Sequence, residues 1–206
     1  MTLPGPARIA AAGAAIALAA GLAGCITLFP KAPPVQLYRF DAQVQPVQNP
    51  GRPIAVRLGA PDFPPGPAGD RIMTVDGDQV AFISGGRWVS PASRLFEEAV
   101  AHGFDAPGDS VRLLGPGQGK PDYRLRLDVS RFEARYTSGP NAAPTVVVVV
   151  RATLDRNRDL AFVGAKEFEA DVPATDNRVG AIVQAYDGAV TKVVGDLVAW
   201  VGQTGG

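Results

Sequence analysis

The sequence predicts an α/β fold: a single domain in which helices, including a long C-terminal one, pack on a mixed β-sheet. Apolar and polar residues alternate with period two in several segments, most regularly over residues 123–129. Residues 146–150 are consecutive valines, and such a run is typical of a central strand buried on both faces. Over residues 179–201, apolar positions recur at the spacing of an amphipathic helix.

A leader precedes this domain. Arg8 is the only charged residue before Lys31, and residues 9–22 contain only Ala, Gly, Leu and Ile. A positive start followed by an apolar core and small residues predicts a secretory signal peptide over residues 1–24. The alternative is an uncleaved transmembrane helix, which is long enough in principle, but Ala and Gly insert weakly.

The leader ends in a lipobox, the pattern of bacterial lipoproteins, because residues 22–25 read Leu-Ala-Gly-Cys. We expect cleavage between Gly24 and Cys25 and attachment of acyl chains such as palmitate to the Cys25 thiol. Cys25 is the only cysteine, which excludes an internal disulfide and a cysteine-ligated metal site. Prolines make residues 25–34 a stiff, extended tether, and residues 35–206 form the domain.

The first half of the domain is predicted to contain short strands and then a helix. Period-two alternation predicts strands at residues 36–40, 54–58, 71–75 and 79–83. The turn at residues 76–78, Asp-Gly-Asp, joins the last two as a hairpin, while Pro and Gly make residues 61–69 an irregular loop. Ser90 suits the cap and Pro91 the first position of a helix that ends near Gly103.

The second half contains the longer strands and the C-terminal helix. Strands are predicted at residues 111–114, 123–129 and 145–150, and a returning strand is formed by residues 160–163 and 166–172. Phe132 breaks the alternation of the second of these, which predicts a β-bulge near Arg131. Residues 155–159 form the turn before the returning strand, and Asp176 is the expected cap of the last helix.

Motifs for catalysis, metal binding or cofactor binding are weak, and we predict no enzyme, metal or cofactor. His102 is the only histidine, and a lone histidine near a helix C-terminus is more often a favourable end charge. Glu167 and Glu169 share a strand face and could serve acid–base chemistry, although solvated strand faces are commoner. The glycine cluster at residues 115–119 lacks the Lys-Ser/Thr pair of a phosphate-binding loop. Balanced charge, with 20 basic and 20 acidic residues, disfavours nucleic acid as a partner.

Segments spread over the chain carry a resemblance to one family. In chain order they are the lipobox and residues 36–40, 71–83, 86–91, 122–129, 131–134 and 199–201. With these segments the chain resembles the ABC-type transport auxiliary lipoprotein family, whose members include the paraquat-inducible protein C lipoprotein. One departure is residues 155–159, Asp-Arg-Asn-Arg-Asp, where many members place a short Asp-Gly turn.

The resemblance implies a function. Such lipoproteins are non-enzymatic subunits of transport systems that pair an ATPase and a permease with a mammalian-cell-entry (MCE) domain protein. These systems move phospholipids or other hydrophobic molecules across the envelope. The resemblance also implies docking to the MCE assembly and a homo-oligomer. Ile26 stands after Cys25 where Asp would favour inner-membrane retention, so we expect an outer-membrane anchor with the domain on the periplasmic face.

Two aromatic residues are the candidate contacts for a partner or ligand. Trp88 is the first, and its alternative role is a core aromatic that seats the first helix beneath Pro91. Phe63 is the second, because it lies in the loop at residues 61–69 and binding residues often occur on loops. Two other functions stay open: a stand-alone envelope lipoprotein that binds a ligand or scaffolds assembly, and a lipidated hydrolase that uses His102 or the Glu167 and Glu169 pair.

Overall fold

The computed structural model describes residues 34–44, 53–105 and 111–205. The predicted signal peptide, Cys25 and residues 26–33 of the tether lie outside them, so the predictions for these residues stay predictions. The described residues form eight strands and two helices. These are β1 Gln36–Tyr38, β2 Ile54–Leu58, β3 Arg71–Asp76, β4 Gln79–Trp88, α1 Ala92–Asp105, β5 Val111–Leu113, β6 Tyr123–Tyr136, β7 Thr145–Arg156, β8 Phe162–Pro173 and α2 Val179–Gly205.

The strands form one mixed sheet centred on β6, which confirms the predicted α/β class. One edge of β6 pairs with β7 in antiparallel orientation, and β8 follows β7. The other edge pairs in parallel with β2 at Tyr123 to Leu125 and with β3 at Ala134 to Tyr136. Strand β5 extends the sheet beside β2, and β4 and β1 extend it beside β3. Two short strands therefore lie end to end along one long strand.

The loop between β2 and β3 continues the pairing along β6. The amide of Gly59 donates to the carbonyl of Leu125 over 3.0 Å, and the amide of Asp62 donates to that of Leu127 over 2.9 Å. The amide of Val129 donates back to the carbonyl of Asp62 over 2.8 Å. The Pro- and Gly-rich loop at residues 61–69 therefore begins as an anchored segment of the sheet edge.

A β-bulge interrupts β6, as the sequence predicts, between Val129 and Arg131. The extra residue turns Phe132 to the same face of the sheet as Val129, since Val129 pairs with Val150 and Phe132 with Val148. Both side chains are almost fully buried. The face that carries them, the core face, packs against the helices.

Strand β7 confirms the prediction of a strand buried on both faces. Each of the valines at residues 146–150 is at most 4% exposed. Val147 and Val149 lie on the outer face, opposite the core. Arg131 on β6 and Glu169 on β8 both pair in register with Val149, and their side chains form an ion pair of 2.9 Å across it. Salt-bridged side chains thus shield the outer valines.

Helix α2 buries the predicted apolar stripe against β7, β8 and α1. The stripe residues from Ile182 to Val201 are buried, and Val179 is partly buried against the core. Among the described helices, none has the length and hydropathy needed to cross a membrane.

One predicted helix boundary is wrong. Helix α1 ends at Asp105, close to the predicted end near Gly103, and the missing side chain of Gly103 makes room for Val194 of α2. Asp176 does not cap α2, since its carboxylate pairs with Arg178 at 2.8 Å and the helix begins at Val179.

Two predicted limits in the β7–β8 hairpin are also shifted. Strand β7 extends through Arg156 and β8 begins at Phe162, so the turn keeps its predicted length of five residues but lies two positions later, at residues 157–161. Strand β8 begins at Phe162 because Leu160 adopts a left-handed backbone conformation with φ of 56°, which interrupts the strand.

Replacing Phe132 with Ala is expected to lower the free energy of unfolding by about 3–5 kcal/mol, because a buried ring is lost and its neighbours relax only partly. Urea denaturation monitored by circular dichroism measures the change. Phe162→Ala is the matched control: Phe162 is 68% exposed, so its loss should shift the free energy by at most about 0.5 kcal/mol. Equal losses in the two variants would contradict the assigned positions.

Replacing Gly103 with Ala is expected to destabilise the fold by about 1–3 kcal/mol, because the added methyl group would overlap Val194. Gly180 is the control, since an added Cβ there meets no atom within 4 Å. Gly180→Ala should instead be neutral or stabilise by up to about 0.5 kcal/mol, because Gly180 lies in the first turn of the helix and not in its middle. Thermal and urea unfolding of both variants give the comparison; a stabilising Gly103→Ala would refute the close helix contact.

Candidate functional site

Trp88, the first predicted contact residue, lies at the end of β4 within an aromatic cluster. It is 2% exposed, and its ring stands perpendicular to Phe40 and Tyr186, with centroids 5.1 Å away in each case. This is the position that the packing alternative requires. A contact role for Trp88 stays a prediction, and it would need the surrounding rings to move.

Phe63, the second predicted contact residue, is half-buried in the loop between β2 and β3. Its ring lies 5.6 Å from Phe96 of α1 and 5.6 Å from Phe132 of β6, in edge-to-face geometry. Phe132 also contacts Phe40, which contacts Trp88. The structure therefore joins both predicted residues in one cluster, and Phe63 is the more accessible of the two.

The loop that carries Phe63 also supports the start of α1. The amide of Ala92 donates to the carbonyl of Gly69 over 2.9 Å, and the amide of Ser93 donates to that of Ala68 over 3.3 Å. The hydroxyl of Ser93 donates to the same Ala68 carbonyl. Loop carbonyls thus satisfy amides that a helix start leaves without intrahelical partners. Phe63 is positioned by backbone hydrogen bonds at both ends of its loop.

Tyr186 closes the cluster from helix α2. Its hydroxyl donates to the carbonyl of Met73 over 3.5 Å, and the side chain is fully buried. Burial raises the pKa of Tyr186 far above its ordinary value, and the negative charge of Glu133 adds to the shift. The phenol is therefore neutral and serves packing, because a buried phenolate would be strongly disfavoured.

A cluster of polar side chains that the sequence does not predict joins the segment after β1 to α2. The amide of Asp41 donates to Oδ1 of Asp187 over 3.0 Å, and the amide of Gln43 donates to the hydroxyl of Thr191 over 3.1 Å. His102 of α1 places Nδ1 3.5 Å from Oδ1 of Asp41. No local sequence signal reveals the group, since Asp41 and Asp187 are 146 positions apart.

Burial raises the pKa of Asp187, and the nearby charge of Asp41 raises it further, while the hydrogen bond from the Asp41 amide opposes the shift.

Glu167 and Glu169, the candidate acid–base pair, lie on β8, where Glu169 pairs with Arg131 and Glu167 lies in register with Arg151. Within the described residues, no three His, Cys, Asp or Glu side chains are placed to hold a metal ion.

These features define a class of protein: an α/β domain whose long C-terminal helix packs on a mixed sheet and whose candidate contact residues lie in an aromatic cluster. The sequence profile described as "ABC-type transport auxiliary lipoprotein component" matches residues 37–198. The chain belongs to this family, which confirms the resemblance seen in the sequence.

Solved structures support the fold. A crystallised protein from Xanthomonas campestris of the DUF330 family is 24% identical and superposes with a TM-score of 0.73, covering 82% of this chain and 96% of its own. An uncharacterised protein that is 15% identical superposes with a TM-score of 0.59, over 83% of this chain and 98% of its own. No match to the chain occurs among curated proteins.

Replacing Asp187 with Asn tests the buried carboxylate. The pKa of Asp187 is higher in the folded state than in the unfolded state, where it is about 4. Asp187 therefore contributes most stability below the unfolded pKa, and this contribution is lost as the pH rises through the folded pKa. Asn resembles the protonated acid and retains an acceptor for the Asp41 amide. We expect the variant and the wild type to have similar free energies of unfolding at about pH 4, and the variant to become the more stable of the two toward neutral pH.

Urea midpoints at several pH values measure this difference. Asp196→Asn is the control, because Asp196 lies on the same helix in an exposed ion pair with Lys192. That variant should show no gain in stability toward neutral pH. A loss of stability in Asp187→Asn that grows toward neutral pH would refute the assignment of Asp187 as a carboxylate disfavoured by its surroundings.

Proposed function

We propose that this protein is a non-enzymatic lipoprotein subunit of an MCE-type ABC transport system that moves phospholipids or other hydrophobic molecules across the envelope. Acyl chains on Cys25 hold it to the outer membrane, with the domain on the periplasmic face. Its partners are the MCE-domain protein, the permease and the ATPase of that system. It requires no cofactor and binds no nucleic acid.

The family match carries the proposal, because it spans residues 37–198 and so covers nearly the whole folded domain. The lipobox at residues 22–25 supplies an independent reason for membrane attachment. A single acyl chain anchors a protein only marginally, so a cysteine that carries several chains gives the stable attachment that a docking subunit needs.

The domain acts by docking rather than by chemistry. Its core is a packed aromatic cluster around Phe132, and a packed core of this kind resists deformation. A rigid domain can meet a partner without losing much conformational freedom on binding. Phe63, the half-buried residue of the cluster, is the proposed partner contact at the surface, and Trp88 is linked to it through the rings of Phe40 and Phe132. Self-association of the anchored domains belongs to the same proposal.

A crosslinked pull-down from membranes, analysed by mass spectrometry, tests the proposal. The wild type is compared with Cys25→Ser, which removes the acylated thiol, and with Arg94→Gln, which changes only an exposed residue of α1. We expect the wild type and Arg94→Gln to recover the MCE protein with its permease and ATPase. Cys25→Ser should recover them weakly or not at all, because it is not held at the membrane.

Failure to recover any transporter component, from a wild-type protein shown to be folded and acylated, would overturn the proposal. The alternative of a stand-alone envelope lipoprotein would then be favoured. Equal recovery with Cys25→Ser would retain the transporter but remove the role of the anchor.

A further inference from the structure

One end of the outer face of the sheet concentrates arginines. Arg57 of β2 pairs in register with Arg124 of β6, so the two side chains stand side by side on the same face. Arg126 follows two residues further along β6 and shares that face. An open groove of about 650 Å³ lies between these residues, and we call it the arginine groove. It is lined by Arg57, Leu58, Gly59, Arg124, Leu125, Arg126, Asp155 and Leu160.

The charges of the arginine groove are not balanced. Its lining contains three guanidinium groups and one carboxylate, Asp155, which pairs with Arg126 at 2.9 Å. Arg124 donates from Nε to the neutral amide oxygen of Asn157 over 2.8 Å. Elsewhere on this face Arg131 has the carboxylate of Glu169 as its partner, whereas Arg57 and Arg124 have neutral oxygens as theirs. Like charges directly opposite on neighbouring strands destabilise a sheet.

Arg57 is the least satisfied of the three. One terminal nitrogen donates to the carbonyl of Gly119 over 3.2 Å, but Nε is buried and has no hydrogen-bond partner among the described residues. A buried donor without a partner is unfavourable and uncommon in folded proteins. The groove therefore has a surplus of positive charge, which an anion would balance, and one of its guanidinium groups lacks a full set of hydrogen-bond partners.

Two exposed apolar side chains, Leu160 and Phe162, lie near these arginines on the same face of the sheet. Leu160 lines the groove and is 62% exposed, with the positive φ that interrupts the β7–β8 connection. A left-handed backbone is unfavourable for leucine, and such outliers concentrate at functional sites. Phe162 pairs in register with Asp155 and is also largely exposed, so it shares the face of the groove. Leu160 therefore lies beside the arginines, and Phe162 lies on the same face across Asp155 from Arg124.

We propose that the arginine groove binds a phosphate-bearing amphiphile, with the phosphate on Arg57 and Arg124 and the hydrocarbon part on Leu160 and Phe162. Guanidinium groups match the planar, bidentate geometry of phosphate oxygens, and charge-assisted bonds of this kind are the stronger ones. The volume lies within the range of small-molecule sites. The inference rests on the proposed function for its biological sense, and it names phospholipid as the ligand class.

Photocrosslinking in membranes, with the full acylated chain, tests the inference. A photoreactive phenylalanine analogue replaces Leu160, and adducts are identified by mass spectrometry. The same analogue at Val80, an apolar residue of β4 that is 61% exposed, is the matched control for position. We expect phospholipid adducts at position 160 and few at position 80. Excess inorganic phosphate should compete with the adducts at position 160, which identifies the phosphate as the recognised group.

The double variant Arg57→Gln, Arg124→Gln tests the role of the paired guanidinium groups. Loss of two charge-assisted hydrogen bonds should lower the adduct yield at position 160 by at least about tenfold. Arg94→Gln, a charge change on the exposed surface of α1, should leave the yield unchanged. The double variant should remain folded with a urea midpoint close to that of the wild type, because removal of a repulsive pair offsets the loss of the hydrogen bonds to Gly119 and Asn157.

Three results would overturn the inference: equal yields at positions 160 and 80, a yield unaffected by the double variant, or adducts with protein in place of lipid. The pull-down separates this failure from failure of the proposed function. Transporter recovery without lipid adducts would refute only the lipid site. Lipid adducts without transporter recovery would refute only the proposed transport role.

Discussion

The β-bulge between Val129 and Arg131 is the constraint on which the rest of the fold depends. Without its extra residue, strict alternation would place Phe132 on the outer face, because a shift of one position moves every later side chain to the other side. With it, Phe132 meets Phe63 of the β2–β3 loop, Phe96 of α1 and Tyr186 of α2. The ring of Phe132 thus packs a loop and both helices against the centre of the sheet.

The parts of the fold that local pattern determines were predictable from the sequence. The valine run, the alternation before the bulge and the apolar stripe of α2 each report burial within a single element, so each was recognised. Element ends were less predictable, because distant contacts decide them. Gly103 has the composition of a helix end, yet α1 continues through it, and Val194 fills the space of its missing side chain.

The sites that depend on strand pairing were not predictable. Strands β2 and β3 share one edge of β6, and no local pattern specifies that arrangement. Only this pairing places Arg57 opposite Arg124, two residues that look like ordinary solvated positions of alternating strands. Asp41 and Asp187 likewise meet only in the folded chain. For Trp88 the sequence left packing and contact open, and its burial corresponds to packing.

The same sheet uses arginine in two ways, and the difference separates structure from recognition. Arg131 reaches across Val149 to Glu169, so its charge is neutralised while it shields a buried valine. Arg57 and Arg124 stand opposite each other with neutral oxygens as hydrogen-bond partners. A structural role would be served equally well by uncharged residues, which would avoid the repulsion. An anion from outside the domain would offset both charges, and this is the argument for a ligand at that end of the sheet.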